Sequence, residues 1–306
     1  MIEALQTLAA TAGGLMTAGG VGYAALAVVV AERFTTSRRE ASDFTPRHAG
    51  LAYEDVRFFA RAGDVRLAAW YLGAEQPRGA VILVHGRGAS KGNELNLQAM
   101  GLVKQLLGSG LSVLMLDLRG HGDSDAARLT YGCNERFDVL GAVDWLIARG
   151  YRAGHIGVLG ASMGGSAAIA AAAEETAIGA VISDSAFADF GAVLRHNFPR
   201  VMRTRLALGL LPGALWWVQR WTGVALQRFR PAELARRLRD IPLLLIHSKG
   251  DRFVTVAHAE HLADASGTEA WLSDTHDHVG TFAAQPQAYT ERVDAFFRAH
   301  LLGATA

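Results

Sequence analysis

A chain of 306 residues that is 50% hydrophobic and 19% charged has ample material for a large buried core, which excludes a disordered chain or a small stapled scaffold. Its net charge of +1 gives no hold on a nucleic acid, and a lone cysteine, Cys133, excludes an intrachain disulfide. That cysteine reads as a small core residue.

Residues 4–31 carry no charge, and within them the 19 residues GGLMTAGGVGYAALAVVVA, 13–31, match the length needed to cross a bilayer core. Residues 1–33 are therefore predicted to be a transmembrane helix, with a removed signal peptide or a buried helix as the alternatives. Glu3 and the absence of Lys or Arg from MIEALQ argue against an export signal. The basic residues Arg33, Arg38, Arg39 and Arg47 follow the span, so the positive-inside rule sets the rest of the chain on the cytoplasmic side of a membrane. A polar linker, 34–50, comes next.

From residue 51 the pattern alternates. Strand-like runs occupy 53–60, 65–72, 80–86, 112–118, 155–160, 177–184, 241–248 and 268–274, with helix candidates at 93–108, 134–149, 163–175, 256–266 and 286–301. The first two runs alternate polar and apolar around ARAGD and read as an edge hairpin. The later ones are almost wholly apolar, as parallel strands covered on both faces are. This is an α/β pattern with a mostly parallel eight-stranded sheet, its core drawn from 51–190 and 241–303.

Residues 191–240 interrupt the alternation and are predicted to form a helical cap. They hold ten arginines against two acids, Glu233 and Asp240, beside many large apolar residues. The apolar side suits a cover for the active site, and the basic side suits an anionic lipid surface.

GVLGASMGGSAAIAAAAE, 157–174, runs from a strand into helix formers and must reverse sharply at Ser162. Gly160, Ala161, Gly164 and Gly165 supply the small neighbours such a turn requires, which is the pattern of a nucleophile elbow. A serine nucleophile needs a base, and the base a carboxylate to orient it. Asp251 follows the strand IPLLLIHS, and SDTHDHVGTF after the next strand offers His276 and His278. The order Ser, Asp, His is that of the hydrolase sheet, with either histidine able to serve. A metal site of these histidines with Asp274 and Asp277 lacks spaced ligand pairs. His258 and His261 read as solvated, and His121, in RGHGDSD, as fixing a turn. Oxyanion donors are expected from the backbone N–H of Met163 and, in LVHGRGASK, of Arg87. That loop lacks the endings of nucleotide-binding motifs, so no cofactor and no metal is expected.

The chain closely resembles the α/β-hydrolase superfamily, and within it the membrane-anchored, Bem46-like serine hydrolases related to the serine aminopeptidase S33 group. The resemblance rests on VHGRG, DLRGHGDSD, YGCNERFDVLGAVDWL, GVLGASMGGSAA, VISDSAFADF, IHSKGDRFVTVAHA and HVGTFAAQPQAYTERVDAFF. It implies His278 rather than His276 as the base, and an apolar acyl pocket beneath the cap. Arg87 and Phe253 are bulkier than their counterparts in many relatives. The expected activity is hydrolysis of short- to medium-chain or lipid-like carboxylic esters through an acyl-enzyme, with a peptidase or an inactive membrane-tethered scaffold as alternatives. Expected partners are the ester substrate and a membrane, through the N-terminal helix and the basic cap, and no nucleic acid.

Overall fold

The computed structural model describes residues 20–37, 39, 43–93 and 96–303. All eight expected strands form one sheet: β1 (Glu54–Phe59), β2 (Arg66–Leu72), β3 (Gly79–Val84), β4 (Leu111–Asp117), β5 (Ile156–Ala161), β6 (Ile178–Asp184), β7 (Leu243–Ser248) and β8 (Ala270–Ser273). Their spatial order is β1-β2-β4-β3-β5-β6-β7-β8. Only β2 runs against its neighbours; from β4 to β8 every pairing is parallel.

The apolar strands send alternate side chains to opposite layers. Ile82 and Val84 of β3 join one apolar layer with Val139, Leu146 and Ile169, while Val81 and Leu83 join the other with Leu102, Val293 and Phe297. Those layers are supplied by α2 (Asn96–Gly108), α3 (Glu135–Ala148), α4 (Met163–Ala172), α8 (Val256–Ser266) and α10 (Pro286–Leu301), at the positions expected for helices. A short α9 (Thr281–Ala284) precedes α10. Burying both faces leaves the C-terminal ends of the strands as the edge on which loops can gather.

The interruption between β6 and β7 contains α5 (Phe190–Val201), α6 (Leu211–Thr222) and α7 (Pro231–Ala235), joined by 3-10 turns. It has its own apolar cluster, in which Phe198, Ala207, Leu211, Ala214 and Val218 pack with Val30 and Ala31 from the N-terminal region.

That contact sets the described part of the expected transmembrane helix against protein. Residues 13–19 of the span lie outside the described residues. Residues 20–35 form a helix, α1, in which Ala27, Val30, Ala31 and Thr35 are buried at helical spacing against protein. Among the described residues no helix is long and apolar enough to cross a membrane. The region expected as a polar linker is also engaged: the Phe34 ring meets Phe198 at 5.8 Å, and Pro46–Ala49 form a 3-10 turn.

Candidate active site

Ser162 stands between β5 and α4 with φ 52° and ψ −113°, a conformation that costs a side-chain-bearing residue on the order of 1–3 kcal/mol. Its N–H is fixed by the Asp184 carbonyl at 2.7 Å. The glycines around it are there because strand and helix nearly touch. A Cβ on Gly160 would fall 2.3 Å from the Gly164 carbonyl oxygen, and one on Gly164 would fall 2.3 Å from that of Val84.

The structure brings the three expected side chains together. Ser162 Oγ lies 2.7 Å from His278 Nε2, and His278 Nδ1 lies 2.6 Å from Asp251 Oδ2. With Nδ1 protonated toward the carboxylate, Nε2 is left to accept the serine proton. Asp251 is buried, and burial alone would raise its carboxyl. The hydrogen bond and charge of His278 and the N–H groups of Phe253 (2.8 Å) and Val254 (2.9 Å) outweigh burial and hold it below the ordinary carboxylate range. His276 does not reach the serine; it packs against Gly250 instead, where an added Cβ would meet its ring nitrogen at 2.1 Å.

Met163 is the first residue of α4, where a backbone N–H has no acceptor within the helix. Arg87 lies in the loop after β3, and its side chain turns away from the serine. Its guanidinium donates to the Arg33 carbonyl at 2.7 Å and the Thr36 carbonyl at 3.3 Å, at the end of α1, and lies over the Tyr131 ring. Tyr131 in turn donates to the Phe34 carbonyl at 3.0 Å.

Two buried histidines brace the same loop. His121 accepts from the Gly88 N–H at 3.2 Å and bonds the Arg119 carbonyl at 2.9 Å, so it does fix a turn, that of the Arg87 loop as well as its own. His85 bonds the Gly86 carbonyl through Nδ1 at 2.7 Å and accepts from the Leu118 N–H through Nε2 at 3.0 Å. Burial, then the neighbouring His121, lowers His85 to about 3, so it holds its place as a neutral ring. The sequence reading missed this role, although the HG pair after β3 was the available signal.

Behind His278 sits a second buried carboxyl. Asp184, the last residue of β6, accepts from Ser185 Oγ at 2.9 Å and Tyr289 Oη at 3.0 Å, yet burial pushes it up to about 6. Ser185 Oγ also accepts the N–H of Val279, at 3.2 Å, and so anchors the residue following the histidine. Ser162, Ser185 and Val279, linked around the histidine, have positive φ, as do Tyr131 and, in the cap, Arg203. His258 corrects another expectation: it is partly buried, accepts from the Ala188 N–H at 3.2 Å and is lowered to about 4 by burial, whereas His261 is exposed. Cys133 is buried as expected, its thiol pushed up to about 12 by that burial.

The cap leans on the acid loop. Asn197 of α5 donates to the Phe253 carbonyl at 2.8 Å, and His196 lies 3.1 Å from that of Arg252. Phe253 itself stands half-exposed at the mouth, its ring 5.2 Å from that of His278. Among the described residues no group of three or more His, Cys, Asp or Glu is placed to hold a metal ion.

A family model for the alpha/beta hydrolase fold matches residues 79–220, from β3 through the elbow into the cap. The protein has the α/β-hydrolase fold. An esterase of Pyrococcus furiosus, Pf2001, superposes with TM-score 0.70 at 25% identity, over 87% of this chain and 99% of that one. The acylaminoacyl peptidase of Pyrococcus horikoshii superposes with TM-score 0.58 at 17% identity, over 82% of this chain and 42% of that one. In sequence, the chain is 27% identical to the uncharacterized protein YqkD of Bacillus subtilis over 220 residues, 71% of this chain and 70% of YqkD. The fold and the likeness to an esterase at 25% identity support a hydrolase, while the likeness to the peptidase, at 17%, is one of fold alone.

Proposed function

We infer that the protein is a serine hydrolase that cleaves carboxylic esters through an acyl-enzyme intermediate, with kinship to the Bem46-like group. The observation that carries this reading is the unbroken chain from Ser162 Oγ through His278 to Asp251, with bonds of 2.7 and 2.6 Å, on a strained turn. Ser162 attacks the acyl carbon while His278 Nε2 takes its proton, and Asp251 holds the imidazole in the required tautomer. The tetrahedral oxyanion is received by the N–H groups of Met163 and Arg87. His278 returns the proton to the departing alkoxide. Water, activated by the same histidine, then attacks the acyl-enzyme and releases the acid.

Esters are favoured over peptides because an aminopeptidase needs a free carboxylate for the substrate amine. The cap has only Glu233 and Asp240, and Glu233 already faces Arg230 at 3.0 Å. Short- to medium-chain or lipid-like acyl groups suit its apolar composition.

The test is hydrolysis of p-nitrophenyl esters of increasing acyl length beside peptide β-naphthylamides, with Ser162→Ala as control and a fluorophosphonate probe for the serine. Ester turnover that vanishes in Ser162→Ala supports the reading. Faster amide turnover favours the peptidase, and failure of folded protein to label favours an inactive scaffold.

A further inference from the structure

The surface formed by α1 and the cap has no role in the chemistry above. On it Val201, Leu206 and Trp216 are exposed at 74%, 89% and 59%. Large apolar side chains left this open in a chain with so much core mark a contact surface. α1 lies alongside: Tyr23 donates to the Gly209 carbonyl at 3.0 Å and accepts from the Gly213 N–H at 3.2 Å, between the positions of Leu206 and Trp216 in the chain. Val21 and Val29 of α1 are exposed as well, at 71% and 53%.

The charge around the cap residues has one sign, and the exposed Glu32 of α1 is paired with Arg128 at 2.8 Å. Arg200, Arg203, Arg205 and Arg220 are exposed, and no acidic residue occurs anywhere from 190 to 232. A protein partner is ordinarily met with both signs, whereas apolar side chains among arginines alone complement an anionic headgroup layer over acyl chains. Trp216 adds the amphipathic ring that favours that boundary. The uncharged stretch 4–31 also includes the first twelve residues of α1, beside this same patch.

A groove of about 640 Å³ opens within the patch, with Leu208, Leu211, Leu215 and Trp216 on its apolar wall and Arg195 among its polar lining. Gln227 lines it too, its side-chain oxygen buried without a hydrogen-bond partner among the described residues. Arginine beside an apolar trough is the chemistry of an anionic head with an acyl tail.

We propose that the α1–cap surface docks in the interface of an anionic phospholipid bilayer, lying on it rather than crossing it, with the cap arginines against the headgroups. This fits the cytoplasmic leaflet, where anionic lipids concentrate. The proposal is independent of which bond the serine cleaves.

The test uses the full chain carrying Leu206→Cys labelled with nitrobenzoxadiazole, the native Cys133 being buried. Vesicles of phosphatidylcholine and phosphatidylglycerol, 3:1, should shift the label's emission to the blue and brighten it, and vesicles of phosphatidylcholine alone should do so far less. Arg203→Ala with Arg205→Ala should weaken that response about thirtyfold without altering the melting temperature, at roughly a fivefold loss per arginine. A label that stays in water while the protein co-sediments with vesicles would overturn the proposal, because a part of the chain other than this surface would then hold the membrane. A blue shift that grows with protein concentration in the absence of lipid would also overturn it, in favour of a second copy of the chain as the occupant.

Discussion

The Arg87 guanidinium donates to the Arg33 carbonyl at 2.7 Å, so the residue proposed to present an oxyanion N–H is fastened to the C-terminal end of α1. On the proposed reading one residue thus serves two structures: its main chain the reacting carbonyl, its side chain a helix that also grips the cap.

Arg87→Met keeps the backbone N–H and removes the fastening. Turnover should fall roughly ten- to hundredfold with KM nearly unchanged, since a displaced donor acts on the transition state rather than on binding. Tyr131→Phe, which removes only the bond to the Phe34 carbonyl, should produce a smaller loss of the same kind. Steady-state kinetics on the best ester separates the two parameters.

Ser162 pays for its exposed hydroxyl in backbone strain. Ser162→Gly relieves the positive φ and should stabilise the protein by about 1 kcal/mol or more in urea unfolding, while activity falls by about 10⁴-fold or more. A glycine variant no more stable than the parent would show that the turn carries no strain.

Asp184 should make stability depend on pH in the direction opposite to an ordinary paired carboxylate. Its folded carboxyl is pushed up to about 6, against about 3.9 unfolded, so between these values the folded state binds more protons. The contribution is fullest below pH 4 and is lost as pH rises through 6, about 3 kcal/mol in all. Asp184→Asn, isosteric with the protonated acid, should remove that slope. Urea midpoints of both proteins at pH 4.5 and 7.5 measure it.

Two glycines with opposite surroundings test the packing of the elbow. Gly164→Ala drives a Cβ to 2.3 Å from the Val84 carbonyl and should cost about 3 kcal/mol or abolish folding. Gly101→Ala, in α2 with nothing within 4 Å, should stabilise by up to about 1 kcal/mol. Thermal melts of the two variants should move in opposite directions.

The sheet was readable because its chemistry is periodic. Strands buried on both faces are apolar without interruption, so each appeared within a residue or two of its place; the alternation expected of both β1 and β2 fails in β2, which lies inside the sheet and is buried from Leu67 to Leu72. Ser162, Asp251 and His278 were readable because each follows a strand in a loop at the same sheet edge. The choice between His276 and His278 lay beyond spacing, since it depends on which ring Gly250 leaves room for. α1 was ambiguous for a physical reason: Ala27, Val30 and Ala31 are equally apolar against lipid or against the cap, and hydropathy does not say which supplies the contact. His85 and Asp184 were opaque because their roles lie in bonds to groups far along the chain, the Leu118 N–H for His85 and the Tyr289 hydroxyl for Asp184.

The bond between Tyr23 and Gly209 joins residues 186 positions apart. A ribosome releases residue 23 long before residue 213, so α1 is made early yet finds its seat only after the cap has been synthesised and folded. Throughout that interval Ala27, Val30 and Ala31 have no protein surface to cover them. Until the cap exists that face of α1, to whose end Arg87 is fastened, lacks its partner.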